Sequence, residues 1–398
     1  VTKVLFYLPT VTPWWLENIV SPLIDAIKGS CGVSVMVPSF WHGTGVGRDH
    51  PAIAAHDDVD WYYLEGERFR DLRFPAGGVP EVLDRALDIS ADYTFCRSAD
   101  TVTPEFFPGV VRYLMEYDLP LLTPLGGGEN FSLCGPRLFD RGFLPPMPPE
   151  AISWLSGAAH RLLQADPCAR RLYAPPPSRR EYRIAAGLPA DKTIVACPLE
   201  FELPENFFAF ARVHRDNVAA MEAILSGMGE DCCLAVTRHP LNRRHGDDGR
   251  VQAFIAAHAP RVREVTYAEF GQTTAELIRQ CDGVALEDTK TISVAALFGK
   301  PILRFSRFAS ADWMCVYDDV GSFFRALACG TAAAPLPKDA LAWLGHALAD
   351  RRLHVGNADL TWESLKSRID RPCDPRRWQV EIGGYESRMA DVFAGAIH

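Results

Sequence analysis

At 398 residues the chain is longer than one hydrophobic core usually grows, so two domains are expected. A net charge of −9 excludes a general nucleic-acid binder, which needs a basic face, but leaves room for a local cationic pocket. Hydrophobic residues make up 48% and charged residues 23%, the balance of an ordinary globular protein. Eleven cysteines, scattered from Cys31 to Cys373, form no CxxC pair and no zinc-like spacing with histidine, and therefore read as free thiols of a reducing compartment. The opening Val1-Thr2-Lys3-Val4-Leu5-Phe6-Tyr7 lacks the long apolar core of a signal peptide, and no run approaches the ~20 residues of a membrane span. The expectation is a cytoplasmic protein. A start at Val1 rather than Met reads as a processed chain or as one module of a larger protein.

In chain order, Val4–Leu8 is an apolar strand, Pro9–Pro13 a loop, Trp14–Ile27 a helix by its apolar spacing, and Val33–Val37 a second strand. This β-loop-α-β opening is that of a doubly wound sheet, yet no GxGxxG follows the first strand, so a dinucleotide fold is not supported. His50-Pro51 follows no apolar run and is set aside. Tyr93–Cys96 reads as a strand, Thr103–Tyr117 as a helix and Pro120–Pro124 as a strand. That strand leads into Leu125-Gly126-Gly127-Gly128-Glu129, where three glycines permit close backbone approach to a ligand and Glu129 is a candidate acid/base. A flexible turn with a capping residue is the alternative. Pro145–Pro149 is a loop before a helix near Ala151–Leu163.

Ala174-Pro175-Pro176-Pro177-Ser178-Arg179-Arg180 is proline-rich and basic, as inter-domain linkers tend to be. Strand and helix signals then alternate again: Thr193–Cys197, Cys232–Val236, Val262–Val265, Gly283–Leu286 and Pro301–Phe305 are strands, with helices at Asn217–Gly227, Val251–Ala257, Thr274–Gln280 and Glu287–Phe298. The expected fold is α/β and GT-B-like, two Rossmann-like domains facing a central cleft. Two such domains without a dinucleotide fingerprint suggest a GT-B glycosyltransferase, with residues 1–175 expected as its acceptor domain and 176–360 as its donor domain. An amphipathic tail, 361–398, carries Trp362, Trp378 and Tyr385 and is expected to cross back to the first domain.

Three strand exits in the second half carry unusual chemistry. Cys197-Pro198-Leu199-Glu200-Phe201-Glu202-Leu203-Pro204-Glu205-Asn206 concentrates carboxylates at a non-helical break. Val236-Thr237-Arg238-His239-Pro240 ends a buried strand in a cationic turn, because proline has no N–H for the ladder. Arg238 and His239 suit a phosphate there, although a solvated surface turn is the bland reading. Glu287-Asp288-Thr289-Lys290-Thr291-Ile292-Ser293 places hydroxyls and a lysine at a helix start. Ordinary N-capping explains one such hydroxyl and is a weaker account of all of them.

Together the Pro198-Leu199-Glu200 segment, Arg238-His239-Pro240 and the Thr289–Ser293 turn running into Phe298-Gly299-Lys300-Pro301 resemble the retaining β-Kdo transferases. These are the KpsC/KpsS-type capsule enzymes and the Kdo-transferase module of the O-antigen enzyme WbbB. The similarity covers roughly Lys192–Ser306, with weaker traces at Pro9–Trp15 and Gly126–Ser132. It implies a GT-B glycosyltransferase that moves Kdo from CMP-β-Kdo to an oligosaccharide or lipid-linked glycan. No DxD-like metal motif stands out in the residues and a cationic phosphate site makes a metal unnecessary, so no metal and no cofactor beyond the donor are expected. The resemblance also implies work at the inner face of the cytoplasmic membrane beside a polysaccharide assembly system.

By the same resemblance an Asp nucleophile in the Pro198–Phe207 segment performs a double displacement. The matched position holds Asn206, a departure, since an amide is a poor nucleophile. Either the match slips and Glu205, Glu202 or Glu200 serves, or Asn206 is an Asp→Asn replacement, the reading preferred here. His239 matches the histidine expected at the departing phosphate, with Arg238 beside it. Thr289, Lys290, Thr291 and Ser293 match the turn expected around the nucleotide phosphate or the Kdo carboxylate, and Glu129 is the candidate base for the acceptor. Alternatives are a GT-B transferase using another CMP-nonulosonate, such as sialic acid, and a catalytically silent glycan- or nucleotide-binding module. A two-lobed solute-binding protein fits the cysteine pattern poorly.

Overall fold

The computed structural model describes residues 1–41, 46–69, 78–97, 100–116, 122, 130–173, 178–202, 212–245, 249–356 and 360–395. Its strands are β1 (Lys3–Tyr7), β2 (Gly32–Pro38), β3 (Asp60–Leu64), β4 (Tyr93–Cys96), β5 (Val110–Glu116), β6 (Asn130–Cys134), β7 (Thr193–Pro198), β8 (Cys232–Thr237), β9 (Val262–Glu264), β10 (Gly283–Leu286), β11 (Ile302–Arg304), β12 (Val316–Tyr317) and β13 (Arg352–His354). They form two sheets in two compact units. One unit comprises Val1–Asp118, Pro124–Asp140 and Ala347–Glu381; the other comprises Leu119–Thr123, Arg141–His346 and Ile382–His398.

The first unit's sheet runs β3-β2-β1-β4-β5 in parallel, then β6 antiparallel to β5 and β13 antiparallel to β6. Thr12 caps the helical stretch after β1 by accepting from the Trp15 N–H. From there to Ile27 the chain stays helical, with a π turn over Leu16–Val20. Trp15, Leu16, Ile19, Val20, Leu23, Ile24 and Ile27 fall on one face and are buried, as a period near 3.6 requires. Ala347–Glu381 completes this unit. Trp362 and Leu365 enter the same core as Val4 and Phe95, and the Tyr93 hydroxyl donates to Asp370 at 2.8 Å.

Two expected elements need comment. The helix expected over Thr103–Tyr117 is instead a single 3-10 turn, Thr103–Phe106, followed by strand β5. Pro108-Gly109 breaks the helix, and Gly109 (φ +72°) sits where a Cβ would lie 2.3 Å from the Asp92 carbonyl oxygen. Beyond the break, Val110-Val111-Arg112-Tyr113-Leu114 is β-branched and aromatic, so it pairs as a strand. The strand expected at Pro120–Pro124 lies outside the described residues apart from Leu122.

The second unit's sheet is wholly parallel, in the order β9-β8-β7-β10-β11-β12. Counted within the unit this is 3-2-1-4-5-6, the doubly wound order. Val195, Leu234, Val236, Ala285 and Leu303 form its core and are all but inaccessible, as both faces of a parallel sheet are covered. The helix expected over Glu287–Phe298 begins later, at Ile292, because Thr289–Thr291 make a turn first.

The chain changes unit at Asp140/Arg141, ahead of the proline-rich stretch. The helix Pro149–Ala165 belongs to the second unit because it packs on the helix Pro337–His346. The stretch itself, 174–177, lies outside the described residues. Ser178 beyond it caps the helix Arg179–Ala185 with a reciprocal Glu181 bond, and Arg179 and Arg183 pair with Asp282. All eleven cysteines are free thiols. Among the described residues no helix is long and apolar enough to cross a membrane.

The two packed helices of the second unit meet at Gly345, where a Cβ would lie 2.3 Å from the Leu155 carbonyl oxygen. Backbone cannot yield as a side chain tip can. Gly345→Ala is therefore expected to force the helices apart and cost about 1–3 kcal/mol, read as a lower denaturant midpoint.

Candidate functional site

In a doubly wound sheet, ligands bind beyond the carboxyl ends of the strands where the strand order reverses. In the second unit that place lies at β7 and β10, which pair with each other while their chains depart in opposite directions. Both strands end in carboxylates: Glu200 and Glu202 follow β7, and Glu287 and Asp288 follow β10.

The β7 exit is held by two buried asparagines. Asn217 Oδ1 accepts from the Glu200 N–H at 3.0 Å, and Asn217 Nδ2 donates to the Glu200 carbonyl at 3.0 Å. Asn242 Nδ2 donates to that same carbonyl at 2.9 Å, and its Oδ1 accepts from the Glu202 N–H at 2.9 Å. Both carboxamides use donor and acceptor on one short segment, so the main chain around Glu200 is fixed.

Arg212 supplies the cation. Its Nε donates to Glu287 Oε2 at 2.5 Å, its Nη1 to Glu202 Oε1 at 2.8 Å and its Nη2 to Asn217 Oδ1 at 3.1 Å. Glu287 Oε1 in turn accepts from the His214 N–H at 3.1 Å and lies 3.2 Å from His214 Nδ1. Glu202 also accepts from the Asn217 N–H. Burial opposes the charge on Arg212, yet Glu287 and Glu202 more than offset it and hold the guanidinium above its ordinary value. Glu200 has no such contact. Burial pushes its carboxyl up to about 7; Arg212 works against the rise, the charges of Glu287 and Asp288 add to it, and a hydrogen bond from the Asp288 main chain opposes it.

Asp288 is buried at the β10 exit. Its Oδ1 accepts from Arg304 Nη2 at 2.6 Å and from the Ser306 hydroxyl at 2.7 Å, and its carbonyl accepts from Arg141 Nη2 at 3.2 Å. Glu200 Oε1 and Asp288 Oδ2 are buried without a hydrogen-bond partner among the described residues. Native structures rarely leave buried polar atoms unpaired, so both oxygens are places where a ligand hydrogen bond would be gained.

His239 stands at the exit of β8, half-buried against Phe201 with ring centroids 5.3 Å apart. Its Nδ1 accepts from the Leu241 N–H at 3.3 Å, which leaves the Nε2 proton as a donor. Burial and then the Lys290 ammonium lower its pKa, which favours the neutral ring. The Thr289 hydroxyl accepts from the Thr291 hydroxyl at 3.3 Å, and the Ser293 hydroxyl donates to the Lys290 carbonyl at 2.8 Å. Thr291 occupies the N-cap position without a side-chain cap bond, so plain capping does not account for it.

Arg238 Nε donates to Glu264 Oε1 at 2.7 Å, toward β9. Glu129, Asn206 and Glu205 lie outside the described residues. His50 caps the short helix Pro51–Ala54, in keeping with its exclusion from the site. Arg212, Asn217, Asn242, Arg304 and Arg141 were not singled out from the sequence. Asn217 reads there as part of a helix start, and nothing local marks the others. Among the described residues no group of three or more His, Cys, Asp or Glu side chains is arranged to hold a metal ion.

No protein-family profile matches the chain, and no curated protein matches it. Solved structures share the α/β fold at low identity. One is the KpsC β-Kdo 2,7 transferase of Thermosulfurimonas dismutans, at 13% identity and a TM-score of 0.45, covering 92% of this chain and 99% of that one. The KpsC β-Kdo 2,4 transferase of the same organism is 10% identical with a TM-score of 0.43, covering 90% and 94%. HepE of Anabaena in complex with UDP and glucose is 11% identical with a TM-score of 0.31, covering 93% and 100%.

Because the Glu200 pKa is raised on folding, the stability it contributes is full below the ordinary carboxylate value of 4.5 and is lost as pH rises through about 7. Glu200→Gln is expected to remove that part of the pH dependence. Denaturation midpoints of both proteins between pH 4.5 and 8 should converge at the acid end and separate above neutrality.

Proposed function

We propose that the second unit binds a nucleotide sugar at the β7/β10 switch point and that the protein is a glycosyltransferase. The observation that supports this most is the set of polar side chains at the strand exits around that switch point. His239 Nε2 and Lys290 offer donors suited to a phosphate, and Glu200, Glu287 and Asp288 follow β7 and β10, the last two paired with Arg212 and Arg304. A departing nucleotide gains negative charge as its bond to the sugar breaks, and the sugar gains positive charge. Donors at His239 and Lys290 would favour the first of these changes.

The finer reading takes CMP-Kdo as donor and a bacterial surface polysaccharide as acceptor, with retention of configuration. It rests on the resemblance of Pro198–Phe207, Arg238-His239-Pro240 and Thr289–Pro301 to the β-Kdo transferases. In this scheme the C–O bond to CMP breaks with its electron pair going to the phosphate, which His239 and Lys290 receive. A carboxylate at position 206 then traps the sugar on its opposite face, and the acceptor hydroxyl, deprotonated by Glu129, displaces it. The amide of Asn206 favours a second reading, a module that binds the nucleotide without turnover.

Calorimetry with CMP and mass spectrometry after incubation with CMP-Kdo or CMP-sialic acid test these readings. CMP is expected to bind, and His239→Ala to weaken it about tenfold or more, because a charge-assisted hydrogen bond is lost. Arg238→Ala should change it much less, since that guanidinium serves Glu264. Asn206→Asp is expected to transfer Kdo and not sialic acid. CMP binding without turnover in that variant would establish the silent module, and absence of CMP binding would remove the nucleotide-sugar reading altogether.

A further inference from the structure

His214 is bonded directly to the β10 exit, and the nucleotide-sugar reading gives it no part. Its main-chain N–H donates to Glu287 Oε1 at 3.1 Å, and its ring Nδ1 lies 3.2 Å from that same oxygen. The ring also stands edge-on to Phe305, with centroids 4.6 Å apart. Phe305 follows β11, and its N–H donates to the Leu286 carbonyl of β10 at 3.0 Å. Two bonds to one oxygen and one aromatic contact therefore hold the imidazole at the exits of β10 and β11, which are paired neighbours.

Glu287 decides which ring nitrogen carries the proton. Its other oxygen, Oε2, accepts from Arg212 Nε at 2.5 Å, and a carboxylate paired with a guanidinium only accepts. The Nδ1 of His214 must then donate to Oε1, which in the neutral ring leaves Nε2 as a bare acceptor. His239 is set the other way, because its Nδ1 accepts from the Leu241 N–H and its Nε2 donates. Among the described residues the Nε2 of His214 makes no hydrogen bond, and the side chain is 17% exposed. Its lone pair is thus open to a ligand.

We propose, on the nucleotide-sugar reading, that His214 Nε2 accepts a hydrogen bond from the bound nucleotide sugar and so selects a hydroxyl or amine there. A phosphate or carboxylate oxygen has no proton to offer at neutral pH and would face a lone pair. The two imidazoles of this sheet edge then serve opposite parts of the ligand. His239 donates to its phosphate, and His214 accepts from a group that carries hydrogen.

Nitrogen NMR of the rings tests the tautomer, and calorimetry with CMP and with CMP-Kdo tests the contact. In the neutral rings His214 is expected to be protonated at Nδ1 and His239 at Nε2, with the His214 signals assigned by their loss in His214→Asn. A proton on Nε2 of His214 overturns the proposal before any ligand is added. Two replacements divide the ring's contacts: the amide of asparagine reaches about where Nδ1 stands, and that of glutamine about where Nε2 stands. Contact through Nε2 predicts that His214→Asn binds about three- to tenfold more weakly, and that His214→Gln recovers most of the loss. Rescue by asparagine instead, or no loss in either variant, confines the residue to holding Glu287 and overturns the proposal. Loss with CMP assigns the donor to the nucleotide, and loss with CMP-Kdo alone assigns it to the transferred sugar. Where both variants weaken alike or fail to fold, the unaltered protein decides. Its Nε2 resonance moves toward the protonated position when ligand is added, or stays in place and removes the contact alone. Failure of the unaltered protein to bind either ligand removes the nucleotide-sugar reading and the contact together.

Discussion

The site of the second unit depends on one guanidinium. Arg212 is buried against Glu287 and reaches Glu202, and without it two carboxylates would face each other at the end of a dry parallel sheet. Uncompensated charge in such a place is strongly unfavourable, so the pair is permitted only because its geometry is close and its remaining lone pairs are used. Glu287 spends its second oxygen on His214, and Glu202 spends its acceptor on the start of the helix Asn217–Gly227. The same ion pairs thus tie the strand exit, the following helix and the β10 exit into one block.

Within that block the carboxyl groups differ in kind. Glu202, Glu287 and one oxygen of Asp288 are neutralised by arginine, and these contacts shape the site. Glu200 makes no such ion pair: burial and two acidic neighbours raise its carboxyl, against the field of Arg212 and a hydrogen bond from the Asp288 main chain. His239 is the counterpart on the other side. Its Nδ1 is occupied by the Leu241 N–H and its charge is disfavoured by burial and Lys290, so it offers a proton without carrying one too many. Carboxyl groups and the His239 donor thus stand at neighbouring strand exits of a single sheet.

Much of this architecture was legible in the residues. Short apolar runs such as Cys232–Val236 bounded by a His-Pro turn can be little else than buried strands that stop near the proline, since a parallel strand is covered on both faces. The alternation of such runs with helical spacing is enough to specify a doubly wound sheet, and His239, Lys290 and the Thr289–Ser293 turn stand out because their chemistry is concentrated in a few adjacent positions. Thr103–Tyr117 misled for the opposite reason. Its apolar residues satisfy a helical period and a strand period at once, and the decision came from Gly109, whose backbone must press against the Asp92 carbonyl.

What the sequence determined by itself was therefore local: which segments are strands, where they stop, and which stops carry cations or hydroxyls. Only the tertiary structure decided which of those groups are spoken for. Arg238 pairs through its Nε with Glu264, a partner 26 positions away that its place beside His239 does not announce. Arg212, Asn217 and Asn242 carry no local signal, because their role is to bond groups between 5 and 75 positions away in the chain. Whether a buried carboxyl is paired or left open is a property of the neighbours that folding brings to it, and a sequence read along its length does not contain those neighbours.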